Sequence, residues 1–204
     1  MINENWVFLG AALNLIGSGT YVVHTIQGKT KPNRVTWFLW ALAPLIAFVA
    51  MLGEGVDLKP ALMTFMVGFG PLMVFVASFV NRKSVWKISR FDLVCGALSL
   101  VGIGLWAVTR EGNMAILFSV LADGLALLPT LVKSWREPET ESYLVFLNGA
   151  LSAGITLLVL KTYDFQHLAF PVYIFVVCLL LFVIIRFKLG KLISNREAEE
   201  APVR

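Results

Sequence analysis

Apolar residues in this chain come in blocks of about 20, parted by short stretches of Gly, Pro, Asn and charge. That spacing constrains the fold more than any motif does. As a helix rising about 1.5 Å per residue, such a block crosses about 30 Å of hydrocarbon. Seven blocks can be drawn, at 5–26, 35–53, 60–81, 91–109, 114–133, 143–161 and 167–187. With 58% of the 204 residues hydrophobic and 15% charged, a soluble domain of this length would leave too much apolar surface in water. The expectation is an all-α integral membrane protein with seven transmembrane helices. The amino-terminal Met-Ile-Asn-Glu-Asn carries no basic leader and no Ala-x-Ala cleavage signal, so the first block is expected to be a retained span. Cys95 and Cys178 both fall mid-span and read as small buried residues rather than a disulfide.

Seven spans put alternate loops on opposite sides. One side collects 14 Lys and Arg: Lys29, Lys31 and Arg34; Arg82, Lys83, Lys87 and Arg90; Lys133 and Arg136; and Arg186, Lys188, Lys191, Arg196 and Arg204. The other side has 3, namely Lys59, Arg110 and Lys161. Basic residues concentrate in cytoplasmic loops, so the bias predicts an outside amino terminus and a cytoplasmic carboxyl terminus. The Glu-rich stretch from Ser194 has no apolar periodicity and is expected to be a disordered tail.

A shift of 106 residues lays the first three blocks on the last three. Pro32 meets Pro138, Thr36 meets Ser142, Trp37 meets Tyr143, Trp40 meets Phe146, and Arg82 meets Lys188. Three spans per unit plus one linker span leave both units in the same orientation, as two parallel three-helix bundles (3+1+3). The expected division is 1–84 for the first unit, 85–110 for the linker helix, 111–190 for the second unit and 191–204 for the tail. Parallel repeats are one of the two ways transporters are built, with the site between repeats near mid-bilayer.

Asp123 is the sharpest chemical signal. A carboxylate in the middle of a span costs on the order of 3 kcal/mol to insert, so it either serves a wet cavity, where it carries a proton or meets a cation, or is hydrogen-bonded between helices for packing. Asn14, Gly17, Tyr21 and His24 recur at helical spacing and share a face of the first span, expected to meet the fifth span or to line a cavity with it. His24 is a candidate for a functional part, against the commoner reading of a plain interfacial histidine near the cytoplasmic end. On the sixth span Asn148, Ser152 and Thr156 also share a face. Asn148 suits orienting a substrate or bonding helix to helix. Trp37 reads as a headgroup-region anchor, while Trp40, a turn deeper, is a candidate for stacking on a substrate. Pro44 and Pro129 each free a backbone carbonyl and make natural hinges, Pro129 within two turns of Asp123. There is no Cys/His metal spacing, no phosphate-cradling glycine loop and no nucleophile elbow, so no enzyme, cofactor, metal or nucleic-acid role is expected.

The arrangement of three spans, a linker and three spans resembles the PQ-loop superfamily, which includes SWEET and SemiSWEET sugar carriers, cystinosin, lysosomal cationic amino-acid exporters and the KDEL receptor. Its signature is a Pro-Gln pair late in the first helix of each unit, then a polar loop ending in Ser. The second unit is similar through Pro129-Thr130, Lys133 and Ser142, with Thr in place of Gln. The first unit has Val23-His24 there, with Pro32 and Thr36 in the loop. A bacterial branch and a bacterial inner-membrane location are what this implies. The sugar carriers' Asn pair has no central counterpart in spans 60–81 and 167–187, so sugar is not implied. Asp123 resembles the membrane Asp that cystinosin-like carriers use for proton coupling. The resemblance implies an alternating-access carrier of a small polar solute, with Asp123 the candidate for proton coupling, as a monomer or homodimer in the bilayer. The alternative readings are a non-transporting ligand-binding receptor like the KDEL receptor, or a structural subunit of a larger assembly.

Overall fold

A computed structural model describes residues 5–53, 58–109 and 112–200. The described residues are helical with no strand. The helices are α1 (Trp6–Ile26), α2 (Arg34–Gly53), α3 (Leu58–Ala77), α4 (Arg90–Val108), α5 (Gly112–Arg136), α6 (Tyr143–Val159), α7 (Phe165–Phe187) and α8 (Leu189–Glu200). Short 3-10 turns, Arg82–Ser84 and Pro138–Thr140, precede α4 and α6. Each apolar block of the sequence corresponds to one of α1–α7. Five of these, α1, α2, α4, α5 and α7, are long and apolar enough to cross a membrane by length and composition. The described stretch Thr64–Ala77 of the 20-residue α3 and the 17 residues of α6 are apolar but shorter. Parts of the expected connections at 54–57 and 110–111 lie outside the described residues.

The helix starts follow from local chemistry. Ser89 and Asp92 form a reciprocal capping box on α4, each side chain taking a backbone N–H of the other. Asn33 accepts from the N–H groups of Val35 (3.0 Å) and Thr36 (3.4 Å) at the head of α2, and its amide donates to Asp92 at 3.1 Å, which ties α2 to α4. Asp164 accepts from His167 N–H at 2.9 Å and opens α7.

Packing places α3 against both α1 and α2, and α7 against both α5 and α6. The broadest seam between non-consecutive helices joins α1 to α6, a second seam joins α2 to α5, and α4 leans on α5 and α2. Small residues set the α1–α6 distance. A Cβ on Gly17 would stand 3.1 Å from the Val145 backbone and 3.0 Å from the Asn148 Cβ, and one on Gly10 would meet the Ser152 Oγ at 3.0 Å. Outward-facing apolar side chains stay uncovered, including Ile16 at 61%, Val49 at 66%, Val101 at 60% and Leu158 at 59% exposure. An apolar outer surface on spanning-length helices is compatible with a membrane protein.

Two expectations are corrected here. Residues 191–200 are helical rather than disordered, within α8. Leu189, Leu192 and Ile193 share one face of that helix. Gly190 passes so close to α5 that a Cβ would overlap the Trp135 carbonyl. Glu139 ties the helix down through Lys191 (2.7 Å) and Lys188 (3.3 Å). Trp37 is no headgroup anchor. It is buried in the middle of a cluster with Tyr21, Val74, Leu127, Phe146, Leu181 and Ile185, where packing against Tyr21 at 4.8 Å covers it.

Candidate functional site

Three adjoining cavities run through the helices. A vestibule of about 680 Å³ opens at the end where α1 begins and α6 finishes, lined by Val7, Thr64, Val159, Lys161 and His167 among others. It shares Asn14, Val67, Ser152 and Thr156 with a deeper cavity of about 290 Å³. That one takes Ser18 from α1, Trp37, Trp40 and Pro44 from α2, Pro71 from α3, Asp123 from α5, Phe146 from α6, and Phe170 and Cys178 from α7. A third, of about 350 Å³, lies among α2, α4 and α5 and shares Pro44, Val67, Asp123 and Phe170 with it. Asp123 therefore stands between two cavities, and its residue surface is half-buried rather than sealed. The Tyr173 hydroxyl donates to its Oδ2 at 2.8 Å. The Trp40 indole N–H lies near the same carboxylate and has no hydrogen-bond partner among the described residues.

Below the deep cavity, away from the vestibule, the passage stops at two layers. The first is the apolar cluster around Trp37 and Tyr21. The second is polar and wholly buried. Lys133 Nζ donates to Glu141 Oε1 at 2.5 Å, to the Lys31 carbonyl, and to the Thr140 carbonyl at 3.4 Å. The other carboxylate oxygen of Glu141 accepts from Tyr21 OH at 2.6 Å. Lys133 and Glu141 have no exposed side-chain surface. The Lys133 ammonium also sits 5.1 Å from the centre of the Trp86 ring. One further bond, from Lys31 N–H to the Thr140 carbonyl at 2.9 Å, closes the two proline-bearing loops on each other. Outside the spans, Glu139 is held down at about 2, first by its hydrogen bond with Lys191.

The sequence-derived residues divide. Asp123, Asn14, Trp40, Ser152 and Pro44 line the deep cavity together. Tyr21 belongs to the closed end, as the donor to Glu141. Asn148 lies in the α1–α6 seam against Gly17 and lines none of the three cavities. His24 lines none of them either; its carbonyl accepts from Lys29 N–H at the turn that follows α1. Pro129 is buried within an unbroken α5. The expected first-span face therefore splits: its glycine packs on α6, not on the fifth span, while Asn14 reaches the cavity that Asp123 lines.

Sequence reasoning missed the Lys133–Glu141 pair. It counted Lys133 as a loop charge, whereas α5 continues through it to Arg136. The available signal was a lysine in the last turns of an apolar helix, with an acid returning eight residues later past Pro138. Tyr173 was also missed, since a mid-span tyrosine has no distinguishing spacing.

Comparison with known proteins gave no match among family models, curated proteins or solved structures. The functional reading is therefore carried by geometry.

Proposed function

We propose that the protein is a carrier that moves a small polar solute across a membrane by alternating access, with Asp123 taking up a proton or a cationic group. The observation that carries the reading is an asymmetry along one passage. A chargeable group at mid-helix is reached from cavities that open at one end, while the other end is shut by an apolar layer and a buried ion pair. A carrier caught open to one side has this form.

The packing pattern supports a 3+1+3 organisation. Exchanging α1 with α5, α2 with α6 and α3 with α7 turns the α1–α6 seam into the α2–α5 seam, and leaves α4 over as a linker. The closed end bears the basic loops, so by the charge bias the shut gate faces the cytoplasm and the vestibule faces out. Buried hydroxyls at Thr130 and Ser134, on successive turns of α5 next to the gate, have no hydrogen-bond partner among the described residues. Water entering from that end would satisfy them. The resemblance to PQ-loop carriers in a bacterial inner membrane agrees with this reading.

Purified protein in liposomes is expected to give uptake of a small polar solute that varies with pH, and Asp123→Asn is expected to remove the pH dependence. Proton-linked flux that persists unchanged in that variant takes the coupling role away from Asp123. Binding without flux under every gradient would favour the receptor reading instead.

A further inference from the structure

The carrier reading leaves the cargo class open, and the deep cavity narrows it. Among its described lining residues Asp123 is the one formal charge, with no Lys, Arg, His or second acid beside it. The cavity on the other side of Asp123 is the same in this respect. A carboxylate offers about four acceptor positions, and Tyr173 uses one of them. The surrounding wall is aromatic. Trp40 stands edge-on to Trp37 at 5.3 Å and to Phe146 at 6.4 Å, and Phe170 lines the cavity from α7.

Each alternative cargo meets an obstacle in that wall. A hard divalent ion asks for six or more oxygen ligands, but the lining is mainly apolar, with Asn14, Ser18, Ser152 and Thr156 as its other polar side chains. An anion would face Asp123 with no cation to offset it. A zwitterion would leave its own carboxylate desolvated and unpaired. An organic ammonium meets one counter-charge and several aromatic rings in the cavity lining, and indole is the ring that attracts cations best.

The geometry points to a compact organic amine, protonated and without a carboxylate of its own, held at Asp123 against the Trp40, Phe146 and Phe170 rings. This rests on the reading of the deep cavity as the carrier's binding site. The size is bounded too, since about 290 Å³ lies at the small end of ligand pockets, which run from about 300 Å³ upward.

The test uses the full chain in lipid nanodiscs at pH 7, with phenethylamine and tetramethylammonium as cationic probes. Size-matched 2-phenylethanol, phenylalanine and 3-phenylpropionate serve as the neutral, zwitterionic and anionic comparisons. Calorimetry is expected to find a cationic probe bound at least about tenfold more tightly than all three comparisons. Asp123→Asn and Trp40→Leu should each weaken it by at least about tenfold. Asp123→Glu and Trp40→Phe, which keep the charge and a ring, should retain most of the affinity, and this separates lost recognition from lost folding. The proposal is overturned if any of the three comparisons binds as well, if either disruptive variant keeps wild-type affinity, or if neither cationic probe binds. Counterflow in liposomes distinguishes the two readings. An amine that binds but is never exchanged sinks the carrier and keeps the site. Exchange of an uncharged solute without amine binding keeps the carrier and sinks the amine.

Discussion

At the scale of single residues, the same chemical group behaves in opposite ways at three places. The Asp123 carboxylate has one tyrosine donor and faces open space. Glu141 is saturated by an ammonium and a phenol and has no exposure. Glu139 is exposed, yet two lysines of the α7–α8 corner converge on it. Glu139 lies outside the spans, and the direction of its shift is clear. The lysines hold Glu139 at about 2, below the usual value of about 4.3 for an unfolded or undocked glutamate. A depressed carboxylate contributes fully above the undocked value, and its contribution is lost as pH falls through the docked one. The tether on α8 should therefore hold at neutral pH and weaken between about pH 4 and pH 2. A spin label on Ile193→Cys should become more mobile across that window. Adding Glu139→Gln should make it mobile already at pH 7. The change should be modest and shrink in high salt, since exposed pairs are screened. A label equally immobile at pH 7 and pH 2 would mean that Gly190 packing alone docks the helix.

At the scale of elements, the end of α5 is fastened to the loop that follows it by a charge pair with no exposed side-chain surface. Lys133→Met leaves Glu141 buried with only the Tyr21 donor, and strips a donor from two carbonyls. Glu141→Gln leaves an ammonium buried without its counter-charge. Each single change should cost about 3–5 kcal/mol in denaturant titrations of the detergent-solubilised protein, and Lys133→Met with Glu141→Leu should recover most of that loss. Single losses below about 1 kcal/mol would mean that water reaches the pair. This junction also marks where reading the sequence stopped working. The helices were legible because each apolar block is long enough to dictate its own structure. Asp123 was legible because its cost in an apolar block is local. The pairing of Lys133 with Glu141 was not, because it depends on Pro138 turning the chain back and on Tyr21 arriving from a helix 120 residues away. The helix at 189–200 was hidden for a similar reason. Its Glu-rich end reads as solvated, and what orders its beginning is Gly190 lying on Trp135 and a glutamate 52 residues earlier.

At the scale of the whole molecule, the α1–α6 and α2–α5 seams border the cavities, so under the proposed alternating access a relative tilt would change both ends together. Ser152, on the vestibule side, and Thr130, buried beside the gate, sit at opposite ends of that lever. With Cys95 and Cys178 replaced by Ala, Ser152→Cys should react quickly with a small charged thiol reagent added from the vestibule side, and Thr130→Cys should resist it from either side. Solute on the vestibule side should reverse the ranking for reagent added from the basic-loop side, as the gate opens and the vestibule narrows. The coupling lies in the reversal, because a static channel would expose both positions at once and a receptor would leave Thr130→Cys protected with or without solute. The Lys133→Met variant sharpens the comparison. If the ion pair is what holds the gate shut, Thr130→Cys in that background should label without any solute, while Ser152→Cys labels more slowly than before. If the two positions respond independently, the ends of the passage are not mechanically joined and alternating access is the wrong description.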